Sequence, residues 1–199
     1  CCDSINSTSP RFWMEVFNRT TPDGNFLRMD SSVFHVFSAD DVSLPEHIAT
    51  RPDGKSRFRY YLPFPSYVNT IEDYPYPYVI GRLCWEVPCL VPSDWEGQNI
   101  QGSSNPRTLA DMKIALDATL LKRGATSLVF HPHGWIGSDQ IVEFIDHAIE
   151  EHGERIKFLN FHEYQERLED HLLVGQPLRD DAGRDNGVRL LDLNNDGFL

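Results

Sequence analysis

The sequence predicts an α/β fold, a parallel sheet or barrel with helices outside it, and three observations predict it. The second half alternates. "NPRTLADMKIALDATLLKRG", "TSLVF", "SDQIVEFIDHAIEEHG", "RIKFLNF" and "NFHEYQERLEDHLL" read as helix, strand, helix, strand, helix. The chain has 199 residues, 40% of them hydrophobic, enough for one full core and one main domain. Between Ser38 and Asn105 the pattern decays, yet tyrosines and phenylalanines stay dense around Pro45, Pro52, Pro63, Pro65, Pro75, Pro77, Pro88 and Pro92. A stretch this apolar is not a disordered linker. It reads as long ordered loops packed on a scaffold, where binding surfaces are built.

The elements follow in order. "STSPRFWMEVFNR" starts a helix: Ser9 caps it, Pro10 suits the first position, and Phe12, Trp13, Val16 and Phe17 make the apolar face. "NFLRMDSSVFHVF" is strand, broken at Asp30-Ser31-Ser32. "GRLCWEVPCLVPSDW" holds a short strand. Asn105 caps the next helix, Pro106 opens it, Leu109, Met112, Leu116 and Leu120 line one side, and Gly124 stops it. "TSLVF" is a buried strand. Ile141, Phe144, Ile145, Ala148 and Ile149 form the inward face of the following helix. Asn160 and Glu163 are placed as a capping box for the last one. His147, His152, His162 and His171 fall on helical surfaces and need no function there.

Eighteen basic residues face thirty acidic ones, a net charge of −12, which repels phosphate backbones and argues against a nucleic-acid partner. No apolar run is long enough to cross a bilayer. The four cysteines, Cys1, Cys2, Cys84 and Cys89, form no CxxC pair, so a zinc ribbon is not expected. Cys84 and Cys89 are close enough for a disulfide in an exported protein, and two buried thiols fit as well. The chain begins without methionine and stops at Leu199 inside a motif, so it reads as a piece of a longer protein.

The candidate chemistry lies in "SLVFHPHGWIGSDQ". His131 falls at the carboxyl end of "TSLVF", where α/β folds place catalytic groups. Pro132 holds His131 extended and ends strand pairing, and Gly134 allows a tight turn. Trp135 offers a flat apolar surface of the kind sugars stack on. A histidine so placed serves as an acid or a metal ligand, or caps a strand end by bonding a carbonyl. In "PCLVPSDWE", Asp94 stands beside Trp95 after two prolines, as a carboxylate that orients another group or as a turn residue.

Together these segments resemble the polysaccharide deacetylase, or NodB-homology, family of carbohydrate esterases. "PSDW" resembles its aspartate–tryptophan motif and "LVFH" its late leucine–histidine motif. "FLRMDSSV" resembles the tyrosine-aspartate-serine-serine segment, "KFLNFHEYQERL" the closing strand and helix, and "CCDSINSTSP" the tail of the third motif. The resemblance covers residues 1 to about 174 and implies an incomplete (β/α) barrel of the glycoside hydrolase/deacetylase type. It implies a hydrolase that takes acetyl groups off an N-acetylated polysaccharide with a water activated by a divalent metal such as zinc. On that reading His131 protonates the departing amine, Asp94 holds the third-motif arginine, and Trp95 and Leu128 wall the acetyl pocket, with Trp135 stacking on sugar. The aspartate pair and histidine pair that hold the family's metal have no counterpart here and are expected upstream of Cys1. The alternative is the same scaffold as a non-catalytic glycan-binding module.

The end of the chain has a different character. Residues 175–186 are polar and read as a linker, and 187–199 as the start of a calcium-binding repeat. Asp192, Asn194 and Asp196 with Gly197 match D-x-N-x-D-G, whose alternate oxygens wrap calcium. That points to a secreted, cell-surface or periplasmic setting.

Overall fold

The computed structural model describes residues 10–63 and 69–192, with the side chains of residues 10–13 left aside. Ser9, Phe12, Trp13, Asn194 and Asp196 therefore lie outside what is described. The elements are α1 (Pro10–Asn18), β1 (Met29–Asp30), β2 (Phe34–Val36), α2 (Glu46–Ala49), β3 (Thr70–Glu72), β4 (Tyr78–Ile80), β5 (Cys84–Glu86), β6 (Cys89–Leu90), α3 (Asp94–Gln101), α4 (Pro106–Leu121), α5 (Ser138–His152) and α6 (Phe161–Arg167). Among the described residues, no helix is long and apolar enough to cross a membrane.

The fold is mixed α/β, but it is not the expected barrel. The described strands form two sheets of three, ordered β1-β5-β4 and β3-β2-β6. The second sheet is parallel throughout, with Phe34 opposite both Thr70 and Cys89. In the first, β1 runs parallel to β5 while β4 runs against it. A closed barrel needs every strand flanked by two neighbours in one continuous cycle. Here strands of two or three residues stop before that happens. "TSLVF" pairs only through a bridge from Ser127 to Cys89. Its neighbour β6 ends at Leu90, and Pro92 lacks the N–H that would carry the ladder on. "RIKFLNF" forms no described strand either, and Phe158 and Leu159 stand exposed.

The helices follow their local chemistry closely. Asn105 accepts from the Arg107 N–H at 2.9 Å and Pro106 opens α4. Asn160 and Glu163 form the expected capping box, Asn160 N–H donating to Glu163 at 2.8 Å and Glu163 N–H to Asn160 at 3.0 Å. Leu109, Met112 and Leu116 of α4 meet Phe34, Val36 and Leu90 of the parallel sheet, and Phe144 and Ala148 of α5 close that core. Ile149, expected inside, is exposed. The left-handed residue that ends α4 is Arg123 (φ 55°), not Gly124. Gly124 is needed for space: a Cβ there would lie 2.3 Å from the Pro75 carbonyl.

The proline-rich loops are tied down by one buried carboxylate. Asp111 on α4 accepts from Arg57 and from the Tyr61 hydroxyl, both at 2.7 Å. Arg57 also donates to the carbonyls of His47, Ile48 and Thr50. Within residues 175–186, Leu178, Arg179 and Gly183 are buried. Arg179 is 1% exposed, and its guanidinium donates to the carbonyls of Phe17, Leu83 and Gly183. Cys84 and Cys89 are both buried and are not joined to each other.

His35 sits at the centre of the parallel sheet, between Ile71 and Leu90, and is 1% exposed. Its ring stands edge-on to Phe37 at 4.3 Å, and neither ring nitrogen has a hydrogen-bond partner among the described residues. Burial first, and the nearby Lys122 cation second, push it down to about 3. Between pH 6.5 and about 3 the unfolded chain therefore takes up a proton that the native one refuses, so stability falls as pH drops through this window. His35→Phe should flatten that fall. Calorimetric melting of both proteins at pH 7 and pH 5 checks it, and equal losses of Tm would assign the acid sensitivity to other groups.

Candidate functional site

The site is built where β6 gives way to α3. Ser93 caps α3, accepting from the Trp95 N–H at 3.2 Å, while the Ser93 N–H donates to Glu96 at 2.5 Å. This capping box places Asp94 in the first turn, where the helix dipole favours a negative charge. Gly97, one turn on, lets α3 close onto α4: a Cβ there would lie 2.4 Å from Thr108. The Asp94 side chain is fully buried.

The resemblance implied that Asp94 holds an arginine expected upstream of Cys1; among the described residues Asp94 accepts from His131. One carboxylate oxygen accepts from the His131 backbone N–H at 2.6 Å, and the other meets His131 Nδ1 at 2.8 Å. Both contacts point at one carboxylate, so the ring carries its proton on Nδ1 and donates it to Asp94. That leaves Nε2 as the free ring nitrogen, on a side chain 26% exposed. The arrangement is a carboxylate-oriented imidazole on a partly exposed side chain.

The aromatic surroundings come from the same short loop. Trp135 packs on His131 at 4.9 Å between ring centroids and on His133 at 4.8 Å, and the two imidazoles lie nearly parallel at 6.2 Å. Gly134, at φ 74°, makes the turn that brings Trp135 back over both rings. The loop is anchored from outside: the Ser104 N–H donates to the Trp135 carbonyl at 2.7 Å, and Gln140 Nε2 donates to Ser104 O at 3.1 Å.

The other expected residues are placed differently. Trp95 is half-buried in the first turn of α3. Leu128 lines a separate cavity of about 470 Å³ between residues 124–128 and 155–161, whose walls include none of Asp94, His131 or Trp135. Asp192 is half-buried near the end of the described chain.

Two groupings escaped sequence reasoning. Glu86, in the buried strand "CWE", accepts from the backbone N–H groups of Ser32 and Val33, both at 3.1 Å. Burial first, and the adjoining Asp30 second, push its carboxyl up to about 9. A glutamate inside an apolar run was a legible hint; its partner was not. The second grouping is Asp117, His147 and His152, whose ligand atoms lie within 4.8 Å of one another. The histidines are five apart, off the i,i+4 spacing that marks one helix face, so no periodic signal flagged them.

No protein-family model, no curated protein and no solved structure matches this chain.

Two outcomes follow for the buried carboxyls. Asp94→Asn keeps an oxygen for one His131 donor and turns an NH₂ toward the other, so it should cost roughly 1.5–3 kcal/mol. Urea titration measures this, and no loss would show that the carboxylate does not anchor the loop. Glu86 holds its proton in the fold and loses it when unfolded, so its contribution is complete below about 4.5 and disappears as pH rises through about 9. Glu86→Gln should therefore melt above the parent at pH 8, by roughly 2–4 °C per kcal/mol regained, and lose that advantage at pH 4.

Proposed function

We propose that this chain carries the proton-donating side of a hydrolase that removes acetyl groups from an N-acetylated polysaccharide, with His131 as the donor. The observation that supports it most directly is the Asp94–His131 pair. A buried carboxylate grips Nδ1 and the backbone N–H of the same residue, so the ring is held in one orientation beside Trp135 with Nε2 left over. The short motifs "PSDW" and "LVFH", which resemble those of the polysaccharide deacetylases, bring in the two residues that form this pair.

The chemistry assigned to the chain is a proton transfer. Amide hydrolysis expels a poor leaving group, and the amine departs only when its nitrogen is protonated. His131 delivers that proton from Nε2, while Asp94 fixes the ring orientation and balances the charge of the imidazolium that precedes transfer. Trp135 supplies a flat face against which a sugar ring can lie, so that its amide nitrogen meets Nε2.

The resemblance implies a metal held by residues upstream of Cys1, and the residues around His131 are not offered as its ligands. Asp94 directs both oxygens at His131 and has no exposed surface. No group of three ligand-type side chains within coordinating reach includes His131 or His133 among the described residues. No step is routed through a metal here; the nucleophilic water belongs to groups other than these.

The test is acetate release from N-acetylglucosamine oligosaccharides by the intact parent protein, which includes the residues upstream of Cys1, supplied with zinc. His131→Gln should lower turnover by about 10²–10⁴-fold, the usual worth of a positioned acid, with oligosaccharide binding kept within a few fold. Asp94→Asn should lower turnover in the same direction. Unchanged turnover in His131→Gln would overturn the assignment. Binding without any turnover in the parent would replace it with a glycan-binding module built on Trp135 and the loop tyrosines.

A further inference from the structure

We propose that Asp117, His147 and His152 form a site for a divalent first-row transition metal such as zinc, bridging α4 and α5. The two helices run the same way and in register. Lys113 of α4 pairs with Glu143 of α5 at 2.7 Å, and four residues further along each helix Asp117 pairs with His147 at 3.0 Å. His152, the last residue of α5, reaches the same Asp117 oxygen at 2.7 Å. Both imidazoles therefore aim Nε2 at a single point, their rings edge to face at 5.8 Å.

Two neutral imidazoles and one carboxylate, with room for water in a fourth position, is a donor set suited to zinc and its neighbours in the first row. Bonds of about 2.0–2.1 Å in a tetrahedral site separate ligand atoms by roughly 3.3 Å. The two Asp117 contacts need to open by only a few tenths of an ångström to reach that spacing. The side chains are 33%, 19% and 9% exposed, so an ion can enter from solvent while the protein holds the ligands. The site lies at the far end of α5 from the His131 loop, about 20 Å of helix away. It is independent of the chemistry proposed for His131.

One neighbour makes the inference specific. Arg155 donates to Nδ1 of His152 at 2.9 Å, which keeps the proton on Nε2 of that ring and directs it to Asp117. An ion at Nε2 displaces that proton and leaves the other nitrogen protonated, where it becomes a donor. Arg155, a donor itself, must then swing away, and its exposed position at the end of the turn after α5 allows it. Arg155 is thus a competitor for the site. Its replacement by glutamine, which can accept from Nδ1–H, should tighten metal binding.

The test is titration of the metal-free protein with cobalt(II), read by visible absorption, with zinc as competitor. One equivalent should give the strong d–d bands of a four- or five-coordinate ion, and zinc should abolish them. The pair of changes His147→Gln and His152→Gln should weaken binding at least about tenfold, the loss that even an outer partner of a metal ligand produces. Arg155→Gln should strengthen it. His131→Gln should leave it unchanged, and far-ultraviolet circular dichroism confirms that each variant is folded. A six-coordinate spectrum like that of cobalt in buffer, or a titration indifferent to the double change, would overturn the site and leave the three side chains as a hydrogen-bonded clasp between helices.

Discussion

Asp94 is the constraint on which the functional end of the molecule depends. Its carboxylate is buried at the start of α3 and satisfied by two donors of one residue, the backbone N–H and the ring of His131. A buried charge that lost these bonds would carry a large desolvation cost, so the loop after Phe130 has little freedom to move away. The consequences spread outward. With His131 held, Gly134 turns the chain, Trp135 covers the two imidazoles, and the Trp135 carbonyl receives the Ser104 N–H that ties the loop to the start of α4. The loop then feeds α5, whose entry is closed by Gly137 N–H donating to Gln140 at 3.2 Å.

The same device recurs on the other face of α4. Asp111 collects Arg57 and Tyr61, and Gln101 donates to the Tyr61 hydroxyl at 3.0 Å, so the loop 46–61 is bound to both α3 and α4. Buried polar groups of this kind are stable only when nearly all their bonds are made. Long loops rich in proline and tyrosine become ordered through them, because the loops themselves make few backbone ladders. Arg179 plays a corresponding part, donating to the carbonyls of two distant residues, Phe17 and Leu83, and of nearby Gly183. Elsewhere the fold tolerates ionisable groups kept neutral by burial, His35 in the parallel sheet and Glu86 at the Ser32 turn. They pull stability in opposite directions with pH, the first acting on the acid side and the second on the alkaline side.

Local chemistry was legible in the sequence wherever the controlling atoms are neighbours along the chain. The caps of α4 and α6, the proline that opens α4, the break at Asp30-Ser31-Ser32 and the apolar side of α4 all depend on residues within a few positions of one another. His131 and Asp94 were both marked as candidates, from a strand end and from a fixed loop. Their contact was not legible, since 37 residues separate them and nothing local sets that distance. The resemblance of "LVFH" to the family's leucine–histidine motif put Leu128 at the same site; it lines a cavity that includes neither Asp94 nor His131, and residues a short step apart in an extended segment need not share a neighbour.

What the sequence determined by itself was therefore α1, α4, α5 and α6, the caps of α4 and α6 and the residues able to carry chemistry, since each depends on interactions spanning one or two turns; α2 and α3 lie in the stretch read as loops. The tertiary structure alone decided how strands associate and which side chains meet. Pairing stops where Pro92 withdraws a donor and β6 runs out, so two small sheets form in place of a barrel. Asp117 meets His147 and His152, and Asp94 meets His131, because α4 and α5 pack in parallel register and α3 closes onto α4. Such meetings follow from long-range packing, which no periodicity within the chain encodes.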